Sequence, residues 1–163
     1  MAIIIRPTEE KDLAFVQKLW ANPDVMYYVG FPNGLQQSEA QMQAWYAWLQ
    51  KSKPLTMHYS IFEDEIYCGE TFFEIDTSHD CLACMDIKLL PAAQGKGIAY
   101  QALGFALAQA KAHGAKIAFV DPDPQNKKAI ALYNKLGFVP CTAPAHILAQ
   151  EEDYDCVYME KAL

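Results

Sequence analysis

Nowhere in the chain do ~18 apolar residues run without interruption, so no segment reads as a membrane span. The opening residues Met1-Ala2-Ile3-Ile4-Ile5-Arg6-Pro7 lack the basic region and long apolar core of a secretory leader, and the chain reads as cytoplasmic. Positive charge is scarce: 13 Lys and Arg face 20 Asp and Glu, a formal net charge of -7. That balance argues against nonspecific nucleic-acid binding, which is driven by neutralising phosphates, and makes a cationic substrate the easier fit. Cysteines are few, odd in number and scattered (Cys68, Cys81, Cys84, Cys141 and Cys156), a poor disulfide framework that suits a reducing compartment. Cys81 and Cys84 have the spacing of half a zinc site, but no second CxxC or HxxxH follows, so no metal is expected. There is no Gly-x-Ser-x-Gly elbow for a hydrolase, and no internal repeat, low-complexity tract or linker. Residues 1–163 therefore read as one domain.

The composition is that of a globular protein, 52% apolar and 20% charged. Residues 3–6 form a β-branched run stopped by Pro7. Thr8 can then cap a helix over residues 9–20, marked by Leu13, Val16, Leu19 and Trp20 and ended by Asn22-Pro23. The aromatic, turn-rich stretch 23–34 reads mostly as a loop. Ser38 and Gln41 make a capping box for a second helix ending near Lys51. Short runs at 58–62, 66–75 and 83–90, separated by polar breaks, predict an antiparallel meander. An Ala-rich helix closed by His113-Gly114, a strand at 116–120, a helix at 126–136 finished by Gly137, and strands at 138–139 and 156–161 complete the order. This alternation predicts a mixed α/β (α+β) sheet.

One segment carries chemistry. Strand, then Gln94-Gly95-Lys96-Gly97-Ile98-Ala99, then helix is an anion-binding arrangement. The first helical turn leaves N–H groups unpartnered and carries partial positive charge, while glycines permit positive φ and close approach of a ligand. Lys96 adds a countercharge. A Walker A loop is excluded because Gly97 follows Lys96, and a dinucleotide fingerprint because Tyr100 stands where a small residue is needed.

Together with the strand at 83–90 and the block Asn126-Lys127-Lys128-Ala129-Ile130-Ala131-Leu132-Tyr133-Asn134-Lys135-Leu136-Gly137-Phe138, this loop resembles the GCN5-related N-acetyltransferases. Gln94, Gly97 and Ala99 match that family's Gln/Arg-x-x-Gly-x-Gly/Ala signature. The likeness is greatest to its ribosomal-protein, polyamine and aminoglycoside 6'-N-acetyltransferase branches. It implies a mostly antiparallel sheet of six to seven strands with a splayed pair, flanked by about four helices, and acetyl-CoA as acetyl donor. It also implies that backbone amides of Gln94, Gly95, Lys96, Gly97, Ile98 and Ala99 hold the pyrophosphate. Pantetheine would lie along the strand end at Leu89 and Leu90, with Asn126 bonding its arm and Ala129 on the same wall. Tyr133 matches the position whose hydroxyl meets the departing sulfur as general acid. Asn126 and Tyr133 are two helical turns apart, so both can face one cleft.

The acceptor amine must lose a proton before attack. On the strand at 83–90, Cys84, Asp86 and Lys88 share one face, with Met85, Ile87 and Leu89 on the other. Cys84 stands where the ribosomal-protein and polyamine branches often carry an acid, whereas Asp86 matches the acid of the aminoglycoside enzymes. Asp86 is the first choice as base or amine-orienting group, with Glu70 and Glu74 as reserves. Tyr27, Tyr28, Phe31 and Glu70 are candidates for the acceptor wall, and Trp20, Trp45 and Trp48 for either that wall or the core. Two other readings stay open: a non-catalytic acyl-CoA sensor, and a domain binding adenosine phosphates generally. Homodimers are common in the family, though no residue here demands one.

Overall fold

The computed structural model describes residues 2–150 and 155–163. Seven strands form one sheet in the order β1-β2-β3-β4-β5-β7-β6: β1 (Ile3–Pro7), β2 (Thr56–Glu63), β3 (Ile66–Asp76), β4 (Leu82–Leu89), β5 (Ile117–Val120), β6 (Val139–Pro140) and β7 (Met159–Ala162). Every neighbouring pair is antiparallel except β4 and β5, which run parallel. The longer helices are α1 (Leu13–Ala21), α3 (Glu39–Ser52), α4 (Ile98–Ala112) and α5 (Lys127–Lys135). Two one-turn helices, α2 (Pro23–Met26) and α6 (Ala145–Leu148), complete the set. No helix among the described residues is long and apolar enough to cross a membrane.

The sheet is covered on both faces. On one, α4 presents Ala106 and Ala110 with Leu103 and Leu107, all buried, to Tyr59, Phe73, Met85 and Val120, and Ala102 to Ile61 and Leu89. Small side chains at i and i+4 let the helix axis approach the strands closely, which accounts for the alanine-rich stretch. On the other face, Leu13 and Val16 of α1 meet Met42 of α3 in a cluster joined by Trp20, Trp45 and Tyr46. Trp20 and Trp45 pack edge to face with centroids 5.0 Å apart, so both belong to this inter-helix layer. Trp48 is exposed.

Two local expectations are corrected. Thr8 does not cap the first helix: it is buried, with its hydroxyl 2.7 Å from His58 Nδ1 and 2.8 Å from Ser60 Oγ. The helical entry is instead a 3-10 turn at Glu10–Asp12, where the Asp12 carboxylate accepts the Glu9 N–H at 2.8 Å. Residues 23–29 are also not a plain loop. Asn22 accepts the Asp24 N–H at 2.9 Å and Pro23 occupies the first helical position, so the pair that ends α1 starts α2.

Candidate acyl-donor and acceptor cleft

The parallel pairing of β4 with β5 covers only Leu82, Ala83 and Cys84 against Ile117, Ala118 and Phe119. Beyond Cys84 the two strands diverge, leaving residues 85–89 without strand partners on that side. A backbone edge opened in this way is a template for an extended amide-bearing ligand. A cleft of about 1210 Å³ occupies the gap. Its walls come from β4, the loop at 94–99, the segment that follows β5, α5 and the short helix α2.

The glycine loop leaves its backbone open to the cleft. Gly95 (φ 77°) and Gly97 (φ 79°) take the left-handed conformation, and a Cβ at either would meet nothing within 4 Å. The space beside them is therefore free for a ligand, and Gly97 sits at the N-cap of α4. The Gln94 N–H is already donated to Pro91 O at 3.2 Å, and the Gln94 side chain reaches Leu89 O at 3.2 Å. Gln94 thus pins the loop to the end of β4, and the available amides begin at Gly95.

Several expected residues line this cleft: Asp86, Leu89, Gln94, Gly95, Gly97, Ile98, Ala99, Asn126, Ala129, Tyr133 and Tyr28. Others are turned elsewhere. Lys96 is bonded to Glu63 at 3.0 Å, and Leu90 packs with Leu19, Phe62 and Tyr67. Tyr27 is exposed with its ring against Tyr28, and Phe31 and Glu74 are exposed outside the lining. Glu70 is buried behind the wall. The cations that do line the cleft are Lys88, Lys127, Lys128 and Lys135. Lys135 Nζ lies 4.8 Å from the centre of the Tyr100 ring, bridging the end of α5 to the first turn of α4. Its signal in the sequence was weak, because only the folded chain brings the end of α5 beside the glycine loop. The Lys135→Ala protein is expected to bind CoA roughly fivefold more weakly in calorimetry, the scale of one partly exposed charge on a phosphate. Lys96→Ala should stay within about twofold.

Tyr133 is held by the way α5 ends. The Gly137 N–H bonds to Asn134 O and the Phe138 N–H to Tyr133 O, both at 3.0 Å, with Gly137 at φ 94°. This is a Schellman closure, and its usual apolar contact is the edge-on packing of Phe138 against Tyr133, centroids 5.8 Å apart. Leu-Gly-Phe is therefore the device that clamps the tyrosine ring, which is only 5% exposed, on the cleft wall. At the other end of α5, Asn126 Oδ1 caps the helix by accepting the Ala129 N–H at 3.3 Å, leaving its amide N–H groups as donors.

The opposite wall carries a buried charge cluster. Glu70 Oε2 is 2.9 Å from His58 Nε2, and the Glu70 carboxylate accepts the Trp20 Nε1–H at 3.0 Å and lies 3.5 Å from Lys88 Nζ. Lys88 also donates to Asp86. Burial would raise the Glu70 pKa, but His58, Lys88 and Trp20 outweigh it and hold the carboxyl at about 2. Burial likewise pulls the Lys88 ammonium down, and the flanking Asp86 and Glu70 carboxylates reverse this and raise it. Burial pushes the Cys84 thiol up, so it is a poor source of thiolate.

The acetyltransferase (GNAT) domain model matches residues 2–139. Among solved structures, spermidine N-acetyltransferase from Vibrio cholerae, in complex with CoA and spermine, is 23% identical with a TM-score of 0.80, covering 98% of this chain and 95% of that one. The aminoglycoside acetyltransferase AAC(6')-Ib in complex with coenzyme A is 21% identical with a TM-score of 0.73, covering 99% and 95%. Ribosomal-protein-alanine N-acetyltransferase from Brucella melitensis is 16% identical with a TM-score of 0.74, covering 98% and 99%. Among curated proteins no sequence match is found. With a splayed strand pair, a glycine cradle at a helix N-terminus and a family match over most of its length, the chain belongs to the GNAT acetyltransferases, whose acetyl donor is acetyl-CoA.

Proposed function

We propose that the protein acetylates a primary amine by direct attack on bound acetyl-CoA, with Tyr133 as proton donor to the departing sulfur and Asp86 as the group that orients the amine. The observation that carries this reading is that Tyr133 and Asp86 both line the one cleft opened by the divergence of β4 from β5. Amides at 95–99, Asn126 and Lys135 would hold the donor, which supplies the activated thioester carbonyl. The open backbone edge at 85–89 would align its arm. Asp86 is engaged by Lys88, and its carboxylate oxygens can accept hydrogen bonds from an ammonium or amine brought beside it. In this reading Asp86 orients the amine, and the proton leaves through water.

The whole chain carries -7, and Asp24, Asp86, Asp121 and Asp123 offset the four lysines of the cleft lining, so a small polyamine-like or aminoglycoside-like amine fits better than an anion. A protein or peptide N-terminus is the other acceptor with the required amine. Five free cysteines suit an enzyme of the cytoplasm.

The test is acetyl-CoA consumption over spermidine, an aminoglycoside and a short peptide, with CoA affinity measured in parallel. Turnover on a cationic amine is expected, whereas tight CoA binding without turnover on any acceptor would establish a sensor. In Asp86→Asn the acceptor KM should rise about tenfold, the value of one charged hydrogen bond, with the pH–rate profile unchanged in shape. Loss of the acidic limb of that profile would instead make Asp86 the base.

A further inference from the structure

Away from the cleft, the turn between β3 and β4 meets the short helix α6. We propose that Asp76, His79 and His146 form a binding site for a zinc-class divalent ion. One donor atom from each of the three lies within 4.8 Å of the others. The imidazoles of His79 and His146 stack with centroids 3.7 Å apart and planes 10° from parallel, and His79 Nδ1 is 2.7 Å from Asp76 Oδ2. Tetrahedral zinc bound at about 2.0–2.1 Å keeps its ligand atoms roughly 3.3 Å apart and lies in the plane of each imidazole, so the exposed His79 ring must swing out of its stack on His146 for the three groups to share one ion.

A second observation concerns His146. Its Nε2 is shielded from solvent and has no hydrogen-bond partner among the described residues. Stacking of two rings accounts for their spacing but leaves that nitrogen's cost unexplained, whereas coordination through Nε2 would satisfy it. The ligands are also held from behind. Asp76 Oδ1 accepts the Ser78 N–H at 2.9 Å, fixing the turn. Ile147, next to His146, is buried in a cluster with Leu82, Phe119, Ala143 and Tyr158. A groove of about 350 Å³ beside His79 and His146 gives room for water as fourth ligand.

On binding, the ion takes the place of the proton shared by His79 and Asp76, which passes to solvent, and no oxidant or other co-reactant is involved. Two imidazoles and one carboxylate suit first-row divalent ions rather than calcium or magnesium. The ligands come from segments far apart in sequence, so the ion would tie the β3–β4 turn to α6, two residues before Gln150 on the cleft wall.

The test is calorimetric titration of the EDTA-treated full chain with zinc, with cobalt absorption as a second readout. One ion per chain is expected, bound at least tenfold more weakly by His79→Ala and by His146→Ala. Cys141→Ser, which removes an exposed thiol, should bind like the wild type. In EDTA the histidine variants should melt with the wild type and still bind CoA, and zinc should raise the Tm of the wild type alone. The cobalt spectrum of the wild type should show nitrogen and oxygen ligation without thiolate charge-transfer bands. Zinc affinity unchanged in His146→Ala, affinity lost in Cys141→Ser, or thiolate bands with cobalt would each overturn the site.

Discussion

The Tyr133→Phe enzyme is expected to lose about 10²–10⁴-fold in kcat, the usual contribution of a positioned general acid. Collapse of the tetrahedral adduct expels the CoA sulfur, and a tyrosine hydroxyl placed at that sulfur can donate its proton to the leaving thiolate as it forms. Phenylalanine keeps the ring that Phe138 packs against and the burial of the side chain, so the change removes one hydroxyl from an otherwise intact wall. With the donor held mainly by the glycine loop, as proposed above, the KM for acetyl-CoA should move by less than about threefold. This split between kcat and KM marks an interaction made only in the transition state. Steady-state and single-turnover rates, taken with a melting curve, check it. A kcat within twofold of wild type would remove Tyr133 from the chemistry and leave it as a packing residue.

Replacing Glu70 by alanine should cost roughly 3–5 kcal/mol of stability, because it leaves buried His58 Nε2 and Trp20 Nε1 without their acceptor and takes one of its two carboxylates from Lys88. For a chain of this length each kcal/mol moves Tm by about 2–4 °C, so the melting temperature should fall on the order of 10 °C. The same carboxylate sets a pH signature. Its folded pKa of about 2 lies below the ordinary value of 4.5, so its stabilisation is fully present above the unfolded pKa and is lost as pH falls through the folded one. The gap between wild type and Glu70→Ala in urea melts should therefore be narrower at pH 3.5 than at pH 7, by roughly 1 kcal/mol. A gap constant with pH would mean that Glu70 titrates normally and that the cluster does not hold its charge.

Parts of this site were legible in the sequence because they depend on local backbone chemistry. Gly95 and Gly97 are required by positive φ at the head of α4, and Gly137 by the closure of α5, so both motifs announce their geometry from residue type alone. The alternation of Cys84, Asp86 and Lys88 against Met85, Ile87 and Leu89 follows from the two-residue period of a strand. Lys96 was misleading for the opposite reason. A side chain inside an anion loop is free to turn, and here Glu63 of a distant strand captures it. Lys135 gained its place from the packing of α5 beside α4, which no spacing rule expresses.

By itself the sequence determined the order of the main elements, the glycine bend at the head of α4 and the place of Tyr133 on α5, since each is specified by residues within one or two turns of chain. Only the tertiary structure decided that β4 parts from β5 after Cys84, that Glu70 is sealed against His58, Trp20 and Lys88, and that His79 meets His146. Those contacts join residues far apart in the chain. Their partners are chosen by which side chains the packed sheet and helices bring within reach, and that choice is a property of the whole fold.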